Sequence, residues 1–233
     1  MEDGLQSGVQ ALGASQKRME FISANLANLQ APGYKRLNSF THVIESMHQG
    51  RKVTEMQTDG ETDFSQGAIE HTTNPLDFAL DGDGFFTVET PSGEAYTRNG
   101  RFHLDSQGTL LTEDGEAVAW EGGQGRFQPV GPEIQVDETG TVHQGDNLIG
   151  RLKIVDFADR SKLEVDAKGS FHAQRGAVQT TATGIVRGGS LERANSDSID
   201  ELVSMIRVQR SFESATNLIR TIDQSYKRLN QPR

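Results

Sequence analysis

Apolar residues recur every seven positions at the start of this chain. Leu5, Leu12, Met19 and Leu26 form one row, and Val9, Ile22 and Leu29 fill an adjoining row interrupted by Gln16. That spacing puts a heptad-like seam on one face of a helix. Asp3 is placed to act as its N-cap. Pro32 disfavours helical geometry at Ala31, so the helix is expected to stop near Leu29 or Gln30. The end of the chain repeats the pattern. Met205, Phe212, Ile219 and Tyr226 are seven apart, with Val208, Ala215, Ile222 and Leu229 three residues further on. Ile199, Leu202 and Ile206 lengthen that stripe at its start. Ser198 followed by Glu201 fits a capping box, which predicts a helix over about 198–229.

The texture between the two helices is different. "LDSQGTL" (104–110), "VDETGTV" (136–142) and "VDAKGSF" (165–171) share one pattern: apolar, Asp, two variable positions, Gly, Thr or Ser, apolar. "LDGDGFF" (80–86) is a looser fourth copy. Asp at the first position and Gly at the fourth suit a type I turn, with the glycine at positive φ in the bulge that follows. Alternating apolar and polar residues flank these turns, as in "FFTVETPSGEAYTRNGRFHL". They predict an antiparallel β-domain over 77–187. Residues 36–76 show no firm period and read as an extended linker, and 188–194 read as the return linker. The predicted class is α+β: a terminal helical domain from 1–35 and 195–233, its helices paired as a coiled coil, with the β-domain inserted between them.

Composition sharpens this. Only 34% of the 233 residues are hydrophobic and the mean hydropathy is −0.57, a thin supply for one large core. An isolated pair of helices is marginal in water. Both seams therefore need further apolar neighbours, and other copies of the chain are the expected source. The helical ends are expected to become ordered inside a polymer of like chains.

Signals for chemistry are weak. The chain has no cysteine, which excludes disulfides, thiolate metal ligation and thiol catalysis. It contains neither a Gly-x-Ser-x-Gly elbow nor a phosphate-binding loop, and its six histidines include no His-x-x-x-His pair. "DFALDGDG" (77–84) lacks the ligand count and the final glutamate of a calcium loop. Glu113 and Asp114 read as a solvated turn, and Trp120 as a core residue rather than a sugar platform. No catalytic, cofactor-binding or metal-binding residue is assigned. The net charge of −10 argues against nucleic acid as a partner. No stretch approaches a membrane span, and the N-terminus lacks the basic and apolar regions of a cleaved signal.

Asn25 and Asn28 stand apart. Asparagine is a poor residue inside a helix, because its side chain competes for backbone hydrogen bonds. Two of them near the helix end serve either to cap it or to bond an adjacent chain.

Three stretches, in order, resemble the bacterial flagellar basal-body rod and hook family. They are "ANLANLQAPGYKR", the run from "FSQGAIEHTTNPLDFALDGDGFF" to "TLLTEDGEAV", and "GGSLERANSDSIDELVSMIRVQRSFESATNLIRTIDQ". The resemblance implies a subunit of the rod that crosses the periplasm, exported unfolded by a type III apparatus without a cleaved signal. It implies as partners other rod and hook-family subunits, further copies of itself and the export apparatus, with no cofactor and no membrane insertion. It also implies that the terminal helices pack as an inner tube with the β-domain outside. Leu12, Met19, Asn25, Leu26, Asn28, Met205, Phe212, Ile219 and Tyr226 are the expected inter-subunit residues. "IGRLKIVDF" (149–157) is similar to the proximal-rod member, and "NPLDFALDGDGFF" equally to the distal-rod member. Readings of another class are an exported β-domain enzyme or carbohydrate-binding protein, or a cytosolic coiled-coil adaptor.

Overall fold

A computed structural model describes residues 2–48, 51–123, 125–128, 131–166 and 168–229. The architecture is α+β: two long terminal helices and antiparallel sheets between them. The chain folds into two compact units. One is made of residues up to Asn28, Leu37–Asp63 and the chain from Ser196. The other is made of Leu29–Arg36 and Phe64–Asn195.

In the first unit, helix α1 spans Glu2–Ala27 and helix α2 spans Ser198–Leu229. The α2 bounds are those expected from its heptads. The α1 helix already runs at Glu2, so Asp3 lies inside the helix rather than at its cap. It also stops earlier than Pro32 requires. The Asn28 N–H bonds Ala24 O at 3.2 Å and its side-chain amide bonds the same oxygen at 2.9 Å, which closes the last turn locally. The helices run antiparallel: Gly8 lies against Ile219, and Asn25 against Glu201.

Residues expected as a linker contain a long hairpin, β1 (Leu37–His48) and β2 (Arg51–Thr62). Its register runs from Leu37 opposite Thr62 to His48 opposite Arg51. It packs on α1: Arg18 Nη2 donates to Thr41 Oγ1 at 2.8 Å, and the Phe21 ring covers Gly60, where an added Cβ would sit 2.7 Å from it. Phe40 and Ile44 on one face, and Val43 and Met56 on the other, stay exposed. A hairpin with no fully buried face carries no strict apolar alternation, so the sequence shows no period there.

The second unit carries the core. Its largest sheet places Phe85–Thr90 beside Gly93–Thr97 on one side and Ala117–Val118 on the other, and Ile154–Phe157 also pairs with Phe85–Thr90. A four-stranded sheet holds Trp120–Gly123, Asn147–Leu152, Thr141–Gln144 and Ile134–Val136 in that order. Adjacent residues of one strand feed two cores, as the two-residue period of a strand requires. Phe86 enters a cluster with Phe78, Leu80, Phe102, Leu110 and Leu152, whereas Phe85 enters one with Tyr96, Phe157 and Phe171. Trp120 is half-buried and packs on Phe127 at the edge of the first cluster.

The Asp-Gly repeat folds as one turn used at three places. Asp105 Oδ1 accepts the N–H groups of Gln107 and Thr109, Asp137 Oδ1 those of Thr139 and Thr141, and Asp166 Oδ1 those of Lys168 and Ser170. Gly108, Gly140 and Gly169 take φ of 77, 82 and 83°, the left-handed geometry that glycine accepts without strain. The looser copy departs from this. Asp81 takes up an ion pair with Arg187 at 2.6 Å across paired strands, and the Gly82 N–H goes to Gln66 Oε1.

Candidate assembly interface

On α1, Gly8, Ser15, Ile22 and Asn25 form the most buried row, flanked by half-buried Leu12, Met19 and Leu26. The adjoining row of the seam is therefore Gly8–Ser15–Ile22. Val9, expected in it, is 57% exposed. Gly8 and Ser15 let α2 approach closely: a Cβ on Gly8 would lie 2.9 Å from Ile219 Cγ1. Ser15 satisfies its hydroxyl within the helix, on Ala11 O at 2.8 Å.

On α2, Met205, Val208, Phe212, Ala215, Ile219 and Ile222 are half-buried on one face. Ile199, Leu202, Val203 and Ile206 do not extend that face. At about 100° per residue they lie nearly opposite it, and they are 40–69% exposed. Among the described residues of this unit, Ile22, at 8% exposure, is the one buried apolar side chain. The helical unit thus has apolar surface to spare and almost no closed core. The side chain of Tyr226 lies outside the described ones.

The two asparagines differ in role. Asn28 caps its own helix, as above. Asn25 is 1% exposed and exchanges two hydrogen bonds with the Leu37 backbone, at 2.9 and 3.0 Å. Its amide also reaches Glu201 Oε1 at 3.3 Å. Glu201 is fully buried, which overturns the capping box: its carboxylate faces Asn25 instead of turning back to its own helix start. Asp197 is the cap, its Oδ1 accepting the N–H groups of Ile199 at 2.7 Å and Asp200 at 3.3 Å.

In the other unit the "PGYKR" turn meets a buried ionic cluster that sequence reasoning missed. Lys35 Nζ lies 2.7 Å from Glu192 Oε1, and Arg98 Nη1 lies 3.2 Å from Glu192 Oε2. All three side chains are at most 3% exposed. Burial pulls the Arg98 guanidinium below its ordinary value, opposed by the charge of Glu192. Glu192 also accepts the Gly67 N–H, and Lys35 donates to Ser65 O. Lys35 stands next to Arg36 and Glu192 next to Arg193, so neither stood out locally, and nothing local joins residues so far apart. The carboxylates of "DFALDGDG" are engaged by protein groups: Asp77 by Thr72 and Asn74, Asp81 by Arg187, Asp83 by Arg160.

The chain thus carries two terminal helices that leave apolar side chains exposed, with an antiparallel β unit between them in sequence. Residues 5–35 match the model described as flagella basal body rod protein. Residues 79–173 match the flagellar hook protein FlgE/F/G D1 domain, and residues 187–231 the flagellar basal body rod FlgEFG protein C-terminal domain. The chain is 31% identical to the flagellar basal-body rod protein FlgF of Escherichia coli, over 99% of this chain and 98% of that one. It is 31% identical to FlgG of Buchnera aphidicola (subsp. Schizaphis graminum), over 94% and 95%. It is 28% identical to FlgF of Mesorhizobium japonicum, over 94% and 93%. The chain belongs to the flagellar basal-body rod protein family, a structural and non-enzymatic family of the flagellum. In the described residues no helix is long and apolar enough to cross a membrane.

Proposed function

We propose that this chain is a proximal-rod subunit that joins the axial shaft through α1 and α2, against copies of itself and other rod and hook-family subunits. The observation that carries this is the pair of apolar faces on α2. One is engaged within the chain; Ile199, Leu202, Val203 and Ile206 on the other are not covered by it. The inner residues Leu12, Met19, Leu26, Met205, Phe212 and Ile219 pack as a coiled-coil seam. Asn25 and Asn28 order the end of α1 where it meets neighbouring subunits. The similarity of "IGRLKIVDF" to the proximal-rod member supports that subtype. The second reading is a distal-rod subunit, which the likeness of "NPLDFALDGDGFF" favours. Export unfolded through a type III apparatus suits a chain without cysteine.

Replacing Leu202 and Ile206 with Glu tests the reading. Both are half exposed, so helix content of the dilute chain should hold while rod yield and motility are lost. Normal rods and swimming in that variant would refute it.

A further inference from the structure

Besides the start of α2, the helical unit has a second exposed apolar surface, on the hairpin. Along β1 the residues alternate. Thr41 turns towards α1, as does Ser39 opposite the Gly60 that Phe21 covers. Phe40, His42 and Ile44 face the other way and are exposed. A two-stranded hairpin is marginal without packed neighbours, and α1 covers only part of one face of this one. The register sets Asp59 opposite Phe40 and Glu61 opposite Asn38, so an acidic row runs beside the apolar one. The Asp59 side chain meets Gln57 at 3.1 Å and His42 at 3.7 Å and stays 40% exposed.

The outer apolar face of α2 is short. Ile199 to Ile206 spans about 10 Å of helix, and Phe40 to Ile44 about 14 Å of strand. At about 100° per residue, Arg210 continues the stripe of Ile199, Leu202, Val203 and Ile206, and Arg207 lies on its flank. Both arginines are exposed. The two surfaces are thus alike in length and opposite in charge at their margins. Neither covers the other within one chain, because both are exposed there.

We propose that the outer face of the β1–β2 hairpin of one copy seats on the start of α2 of the next copy, with Arg207 and Arg210 set against Asp59 and Glu61. The proposal rests on the shaft reading and names the partner of the outer α2 face as a second copy of this chain. Phe40 and Ile44 gain the apolar cover that the hairpin lacks alone. The charges at the margin fix which way the partner lies more than they add affinity. The contact is heterologous, since each patch meets a different patch on its neighbour. A subunit that gains a partner through its hairpin still offers its α2, so copies add in one direction and build an open helical array unless the rotation closes a ring.

The test is cross-linking between copies, which a chain without cysteine allows free of background. Phe40→Cys and Ile206→Cys are placed together in the full-length chain. A short bismaleimide, which tolerates some slippage of register, is applied to isolated basal bodies and to the concentrated chain. The double variant should give dimers and higher products, and either single variant should stay monomeric. Adding Arg207→Glu with Arg210→Glu should cut the linked fraction about tenfold or more, and Asp59→Arg with Glu61→Arg on the hairpin should bring it back. Linked dimers from a single variant would mean that each surface meets its own counterpart. A monomer linked internally would mean that the chain covers α2 with its own hairpin. Basal bodies that hold the chain but yield no linked product would mean that something else covers α2. Each of these overturns the pairing, and the last leaves the shaft reading standing; absence of the parent chain from basal bodies removes both. Swimming gives a readout that needs no cysteine. The Arg207→Glu, Arg210→Glu pair should abolish it and the hairpin reversals should restore it, whereas normal swimming with the arginines reversed also overturns the pairing.

Discussion

The side chain of Asn25 pairs with the backbone of Leu37 as a neighbouring strand would, giving one hydrogen bond to its carbonyl and taking one from its N–H. A helix side chain thereby starts the hairpin β1–β2, and the same amide meets the buried Glu201 of α2. Asn25→Leu has similar volume but removes both hydrogen bonds to the part-buried Leu37 backbone and the one to Glu201. The cost is about 3 kcal/mol, the scale of buried polar groups left unpaired. A unit with so little closed core should then lose its helical signal in far-UV circular dichroism. Asn28→Leu removes one cap on a half-exposed carbonyl and should cost less than about 1 kcal/mol in the same measurement.

The start of α2 separates two neighbouring candidates for its cap. Asp197→Ala removes the acceptor of the Ile199 and Asp200 N–H groups and should destabilise the helical unit by about 1 kcal/mol. Ser198→Ala, at the first helical residue, should be near neutral. Denaturant midpoints followed by circular dichroism decide between them; the reverse order would restore the capping box.

The repeated turns should make the β unit acid-sensitive. Backbone bonding from Thr109 holds the Asp105 carboxyl below the usual range. Burial pushes Asp137 and Asp166 up, but hydrogen bonds from Thr139 and Thr141, and from His172, Lys168 and Ser170, outweigh it and leave both lowered. A carboxyl with a depressed folded-state pKa binds fewer protons folded than unfolded. Its contribution is therefore full above the unfolded value of about 4 and is lost as pH falls through the lower folded value. The melting temperature of the β unit should accordingly drop on acidification below about pH 4. Asp137→Asn, which keeps the shape but cannot ionise, should flatten that drop and lower stability near neutrality. An unaltered pH profile in Asp137→Asn would show that the turn carboxylate does not set it.

Sequence alone reached the local devices. A heptad spacing of apolar residues marks a helix with one apolar face, and α2 runs over the residues its heptads marked. Asp followed three residues later by Gly specifies its turn through bonds within five residues, so Asp105, Asp137 and Asp166 were legible before any fold.

What tertiary structure decided were pairings between segments far apart in the chain. Whether Val9 or Gly8 faces α2 depends on how closely the partner helix comes, and that is set by Ile219. Glu201 looked like part of a cap because its nearest eligible partner was local, yet burial beside Asn25 gave it a different one. The hairpin left no period because both of its faces keep apolar residues in solvent. Lys35 and Glu192 become a pair only once strands bring them together, because a buried charge takes its partner from whatever the fold places within reach, at any distance along the chain.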